Sequence, residues 1–231
     1  MKAARVQDGA VRIVDVPQPE LGKADALVRI SAAGVCHSDL HLARGDWGFA
    51  SSGLLGHEAI GVVEAVDADA QQFVEVGDRV ILGLGGTGGG FWCGACEYCL
   101  SGRPRHCALS KPVMGTFAEY FSAYAPGLVK LPNSLGDQEA SLACGGLTAY
   151  GAVKKLPKHG VIPGQTVAVI GAAGGLGHYA VQLAKSFGYD VVGVDIGSER
   201  LDFVRSLGAR AAVDPPGARR RALARRVRSA P

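Results

Sequence analysis

"QTVAVIGAAGGLGHYAVQLAKSFGYDVVGVDI", Gln165 to Ile196, runs as an apolar strand, a glycine turn, a helix and a second apolar strand. That succession within about 30 residues is the unit from which a parallel, dinucleotide-binding sheet is built. Gly171, Gly174, Gly175 and Gly177 make the turn, with one more residue between the first two glycines than the usual fingerprint has. Glycines there let the backbone approach a pyrophosphate at the helix N-terminus. Asp195 closes the second strand 18 residues after Gly177. A carboxylate in that place accepts both ribose hydroxyls of NAD and repels the 2′-phosphate of NADP. Within the helix Leu176, Ala180, Leu183, Ala184 and Phe187 recur at helical spacing and predict the face that covers the sheet.

Outward from this unit the pattern changes on both sides. Downstream, "ERLDFVRSLGARAAVD" predicts a helix ending at Gly208 and a third strand ending at Asp214. Upstream, "QEASLACGGLTAYGAVKKL", Gln138 to Leu156, reads as helical segments. The first third holds β-rich runs, "ALVRISAAGV", "AIGVVEAVDA" and "DRVILGLGG", broken by glycine and aspartate. These runs predict a mostly β domain over residues 1–143, a partial parallel-sheet domain over 144–214 and a tail over 215–231.

Composition narrows the function classes. With 48% apolar and 19% charged residues the chain is that of a globular protein, not a disordered one. No apolar run is long enough to cross a bilayer, and "MKAARVQDGAVRIVDV" lacks the layout of a secretory signal, so the expected compartment is the cytoplasm. The formal charge of +3 includes six arginines in "PPGARRRALARRVRSAP", Pro215 to Pro231; removing those six leaves residues 1–214 at −3. A mildly acidic body and a basic tail without aromatic residues give no nucleic-acid reading, and no membrane partner is expected.

The six cysteines in a chain of this size point to metal or catalysis rather than to a disulfide framework. Cys93, Cys96, Cys99 and Cys107 are separated by two, two and seven residues inside the glycine-rich lobe Gly85 to Gly102 and just beyond it. Such spacing suits a closed four-thiolate zinc site, which orders a loop and leaves no position open for chemistry. Cys36 and Cys144 remain. Two thiolates and one imidazole make a catalytic zinc set with an open position, and "GHE", Gly56 to Glu58, offers His57 before a strand. Asp39, three residues after Cys36, could accept the other ring N–H of His57 and fix its tautomer.

Together "GVCHSDLH" (Gly34 to His41), "GHE", the four-cysteine lobe and "ACGGLTAY" (Ala143 to Tyr150) resemble the zinc-dependent medium-chain alcohol dehydrogenases, with the match running to about Asp214. The resemblance implies an α/β protein: a mostly β GroES-like catalytic domain, then the first half of a Rossmann doubly wound sheet. It implies that Cys36, His57 and Cys144 hold a catalytic zinc, with Asp39 and Glu58 behind it, and that Cys93, Cys96, Cys99 and Cys107 hold a structural one. Ser38 and His41 would carry the alcohol's proton outward by way of the cofactor ribose. Thr148 would pack against the nicotinamide, His37 would lie near the pyrophosphate, and Arg200 would sit beside the adenosine ribose. Trp47 in "RGDW" would narrow the pocket toward small primary alcohols. The implied reaction moves a hydride between such an alcohol, or its aldehyde, and NAD; full-length members of this family oligomerise.

A complete doubly wound sheet has six strands in the order 3-2-1-4-5-6. The sequence supplies the first three, the segment from Cys107 to "GTFAEY" is short for the family, and an arginine-rich stretch follows Asp214. A frameshift or misplaced stop in GC-rich DNA is the simplest source of that stretch. Two readings stand at this point: an NAD-linked, zinc-dependent alcohol dehydrogenase, or a zinc-stabilised fragment of one without turnover.

Overall fold

The computed structural model describes residues 1–7, 9–47, 53–83 and 90–215. Gly85 to Gly89 of the cysteine lobe and residues 216–231 of the tail lie outside the described residues. Twelve strands are present among the described residues: β1 (Lys2–Gln7), β2 (Ala10–Asp15), β3 (Asp25–Ala33), β4 (Ala59–Val66), β5 (Arg79–Leu82), β6 (Gly90–Phe91), β7 (Lys111–Pro112), β8 (Tyr120–Tyr124), β9 (Val129–Lys130), β10 (Thr166–Ile170), β11 (Asp190–Val194) and β12 (Ala211–Val213). Five α-helices accompany them: α1 (His37–Arg44), α2 (Glu97–Leu100), α3 (Gly145–Val153), α4 (Gly175–Ser186) and α5 (Ser198–Ser206). The chain divides into two compact units, the first ending at Cys144 and the second opening at Gly145.

In the first unit five antiparallel strands lie in the order β8-β3-β4-β5-β9, with β1 and β2 forming a separate hairpin. Alternation sets which side is buried. Ala26 and Val28 of β3 point inward while Arg29 and Ser31 point out, as period-two geometry requires. Val28, Val63, Val74, Val80, Leu82 and Val113 form the centre of this core. Each fully buried valine or leucine there contributes about 1.5–3 kcal/mol through removal from water.

The second unit is a parallel sheet in the order β10-β11-β12, in register from Thr166↔Asp190 to Val194↔Val213. This is the strand order expected for the first half of a doubly wound sheet. The buried stripe of α4 is Gly177, Val181 and Ala184, not the full set anticipated from the sequence. Leu176 and Phe187 are exposed, whereas Val181, at 0% exposure, lies in the core of this unit, because α4 is rotated with the Val181 side toward the sheet. Val167 and Val169 are half-buried whereas Ala168 and Ile170 are exposed, so β10 is covered on one face.

The register of β3 and β4 places the site. Ala33, the last residue of β3, lies opposite Ala59, the first of β4. The pairing continues one step further, where the Gly34 N–H donates to the Glu58 carbonyl at 2.9 Å. The segments just beyond these strand ends carry Cys36 on one side and His57 with Glu58 on the other. A third approach comes from the 3-10 helix Asp137–Ala143, whose Ala140 and Ala143 pack against Ile60 of β4 and Ile81 of β5. Cys144 caps that helix and so falls beside the same two strand ends.

Candidate metal and nucleotide sites

The stretch after Cys36 is the eight-residue helix α1 with Cys36 at its N-cap. Asp39 stands at its third position, and its carboxylate satisfies three donors. Oδ2 accepts the Cys36 N–H at 3.0 Å, and Oδ1 accepts the Gly56 N–H at 3.2 Å and lies 3.1 Å from His57 Nδ1. Both side chains of the Asp39–His57 pair are 3% exposed. One buried acid therefore fixes the start of the helix, the approach to β4 and the imidazole together. Its acceptance from Nδ1 leaves Nε2 of His57 as the ring nitrogen able to bind a metal.

One donor atom from each of Cys36, His57, Glu58 and Cys144 lies within 4.8 Å of the others. Sequence reasoning placed Glu58 behind the ligands; the structure brings its carboxylate into the donor set itself, with Oε1 4.0 Å from His57 Nε2. The hydrogen bond to Asp39, and after it one to Cys144, pushes the His57 pKa up to about 11 against the opposing effect of burial. The donors are one imidazole nitrogen, two sulfurs and a carboxylate oxygen, and that N/S set is the one zinc prefers. The residues fit that ion.

The four lobe cysteines converge as well, again within 4.8 Å. Tetrahedral zinc with sulfur ligands at about 2.3 Å sets neighbouring sulfurs about 3.8 Å apart. The observed separations are 3.5 Å for Cys96–Cys99, 3.6 Å for Cys107–Cys93 and 3.9 Å for Cys93–Cys99, with no disulfide among them. The backbone N–H groups of Ala95 and Cys96 draw the Cys93 thiol down to about 6, while desolvation and then the Cys96 thiol push Cys99 up to about 12. The sulfur spacing fits zinc, whose charge would hold all four as thiolates.

Ser38 and His41 lie one turn apart on α1, both half-buried, and His37 is exposed on the same helix. The His37 and His41 rings meet edge-on at 4.9 Å, and Trp47 lies 5.6 Å from the His41 ring. Sequence reasoning passed over Asp46, whose Oδ2 is 2.9 Å from His41 Nδ1; its signal was the acid in "RGDW" just past the helix.

In the second unit the glycine turn joins β10 to α4, with Gly174 as N-cap and Gly171 in the left-handed region at φ 72°. A Cβ at Gly177 would run into the Gly171 carbonyl and lie 2.7 Å from Ala172 Cα, so only glycine allows the first turn of α4 to lie this close to the strand end. Asp195 follows β11 and is 7% exposed. Its oxygens accept the N–H groups of Ala173 and Ile196, each at 2.8 Å, and pair with Arg200 at 3.3 Å. Burial pulls the carboxyl upward, but those N–H groups and the guanidinium together hold it below the usual carboxylate range. An ionised carboxylate has about four lone-pair sites, so acceptor capacity remains for a ligand's hydroxyls. Thr148 stands exposed on α3.

Comparison with known proteins follows this division. The family model for the alcohol dehydrogenase GroES-like domain matches residues 22–133, and that for zinc-binding dehydrogenases matches residues 175–230, through the arginine-rich stretch. An alcohol dehydrogenase of Geobacillus stearothermophilus is 42% identical over 228 residues, covering 93% of this chain and 64% of that protein. One from Schizosaccharomyces pombe is 38% identical over 211 residues, covering 88% of this chain and 58% of its own. The chain thus spans less than two thirds of the length of the curated relatives it matches. Among solved structures, the alcohol dehydrogenase of Aeropyrum pernix superposes with a TM-score of 0.81 at 36% identity, covering 99% of this chain and 69% of that one. The alcohol dehydrogenase from a Thermus species gives 0.77 at 32% identity, covering 99% and 66%. With both domain families matched in order along the chain, it belongs to the zinc-dependent medium-chain alcohol dehydrogenase family.

Proposed function

We propose that the protein is an oxidoreductase that moves a hydride between a small primary alcohol, or its aldehyde, and NAD. The observation that carries the reading is the Cys36, His57, Cys144 donor cluster with Asp39 hydrogen-bonded behind the imidazole. Residues 1–143 together with Cys144 form the catalytic part, and the parallel sheet to Asp214 the cofactor part. Cys36, His57 and Cys144 would hold a catalytic zinc, with Glu58 close enough to join them, and the four lobe cysteines a structural one. When bound, the catalytic zinc supplies a Lewis acid that lets an alcohol lose its proton near neutral pH, and NAD supplies the hydride acceptor.

The chain's own groups do the positioning. Asp39 orients His57, and Ser38 and His41, adjacent along one face of α1, form the path by which the substrate's proton reaches water. Gly171, Gly174, Gly175 and Gly177 admit a pyrophosphate to the N-terminus of α4, with His37 as a further contact. Asp195 accepts ribose hydroxyls and rejects a 2′-phosphate, Arg200 flanks it, and Thr148 packs against the nicotinamide. Trp47 restricts the substrate to small alcohols. Six free thiols suit a reducing compartment, in keeping with the cytoplasm. Among the described residues no helix is long and apolar enough to cross a membrane.

The test is metal analysis of the purified protein, followed by NADH production from a series of primary alcohols. Two equivalents of zinc and turnover on the order of 1 per second are expected. A folded, metal-free protein that reduces no NAD would sink the reading.

A further inference from the structure

Helix α1 ends in a way that ties its relay histidine to a residue outside the helix. Gly45, at φ 71°, turns the chain back, its N–H donating to the Leu42 carbonyl at 3.4 Å. The Asp46 N–H then donates to the His41 carbonyl at 3.0 Å. Those two bonds, one spanning three residues and one five, are the Schellman arrangement, in which side chains of the two residues joined by the longer bond come into contact. In this motif the contact is frequently between two apolar groups. Here the pair is a carboxylate and an imidazole, with Asp46 Oδ2 2.9 Å from His41 Nδ1.

The surroundings of the ring leave Asp46 in charge of that nitrogen. His37 meets the His41 ring on edge at 4.9 Å with planes at 62°, and Trp47 lies at 5.6 Å with planes at 32°, so these two neighbours face the ring as walls. The His41 and Asp46 side chains are 37% and 43% exposed. At that exposure an ion pair adds little stability. A hydrogen bond of this geometry nevertheless decides which nitrogen of a neutral imidazole carries the proton.

We propose that Asp46 is a positioning residue that holds His41 with its proton on Nδ1, so that Nε2 is presented as the proton acceptor of the relay. The alcohol's hydroxyl proton is taken up at Nε2 and released to water from the same nitrogen, while Nδ1 keeps its proton against Asp46; the imidazole ends as it began. In water an unconstrained imidazole favours the opposite tautomer, with the proton on Nε2, which cannot accept there. This inference rests on the reading of Ser38 and His41 as the proton path, and its first test needs no turnover.

That test is long-range proton–nitrogen correlation on the full chain, zinc-loaded and labelled with 15N-histidine, at a pH where the imidazoles are neutral. His41→Gln identifies the His41 signals by their loss. The Nδ1–H pattern is expected at His41 in the native protein and in Asp46→Asn, whose amide oxygen still accepts, and the Nε2–H pattern in Asp46→Ala. An Nε2–H pattern in the native protein, or the same tautomer in native and Asp46→Ala, overturns the proposal. The second test is turnover: Asp46→Ala is expected to lower kcat about tenfold, taken from the lower end of what hydrogen-bond partners of metal-bound histidines contribute, with Asp46→Glu recovering part of the loss. In a His41→Gln background the Asp46 substitution should change nothing further; an equal loss in both backgrounds overturns the link to His41. If the native protein shows the Nδ1–H pattern but oxidises no alcohol, the assignment of Asp46 stands and the proposed function falls.

Discussion

Asp39→Asn tests the site through a change of one atom. The carboxylate of Asp39 accepts from Cys36 N–H through Oδ2, and from Gly56 N–H and His57 through Oδ1. Asparagine has one oxygen for these three donors, and its NH2 must face the rest. If the oxygen takes the Oδ1 place, the amide nitrogen opposes the Cys36 N–H, and the loss is that of an N-terminal helix bond, about 1 kcal/mol. If it flips, two buried donors oppose it, at about 1–3 kcal/mol each. The first arrangement therefore wins, and the protein folds. His57 then keeps a neutral acceptor where it had an anion, and zinc affinity at Cys36, His57 and Cys144 should fall about 10–100-fold. Competition with a coloured chelator should show one zinc equivalent released more readily and the lobe equivalent unchanged. Equal weakening of both equivalents, or of neither, would refute the assignment of Asp39 to His57.

Cys93→Ser should cost one zinc equivalent and raise the susceptibility of the lobe to proteolysis, since Cys93 lies within 3.9 Å of two other sulfurs; proteolysis at the wild-type rate would show that the metal does not order it. Gly177→Ala forces a methyl group onto the backbone of Gly171 and Ala172, and should lower stability by about 1–3 kcal/mol in urea unfolding and weaken NAD binding together. Asp195→Gly should narrow or reverse a preference for NAD over NADP, read by titration of both dinucleotides. The Asp195 carboxyl is held below its unfolded value of about 3.9. Its stabilisation is therefore present above that value and lost as pH falls through the lower folded one. Asp195→Asn should flatten the acid limb of the unfolding curve below about pH 4.

The elements that carried strong periodicity were legible in the sequence. "AIGVVEAV" is β4, "TVAVI" is β10, and the helix and third strand of "ERLDFVRSLGARAAVD" lie within a residue or two of α5 and β12. The four-cysteine lobe was legible because ligand spacing is a local property, and all four sulfurs do converge. Helix α1 was not. "HSDLHLAR" buries only Asp39 and Leu42, so there is no apolar stripe to read, and its start is fixed by a carboxylate rather than by an ordinary capping side chain. The meeting of Cys36, His57 and Cys144 depends on the register of β3 against β4 and on a 3-10 helix packed over Ile60 and Ile81, neither of which the residues declare. Likewise Val181 rather than Leu176 is the buried residue of α4, a rotation of the helix that apolar spacing alone does not declare.

The cysteine lobe also sets a chemical condition on its own loading. Three of its sulfur pairs stand 3.5–3.9 Å apart, and none is joined as a disulfide. A cation bound there takes thiolates, so any thiol among the four must give up its proton to close the tetrahedron. Loading therefore releases protons, and acid should weaken the lobe's hold on its metal.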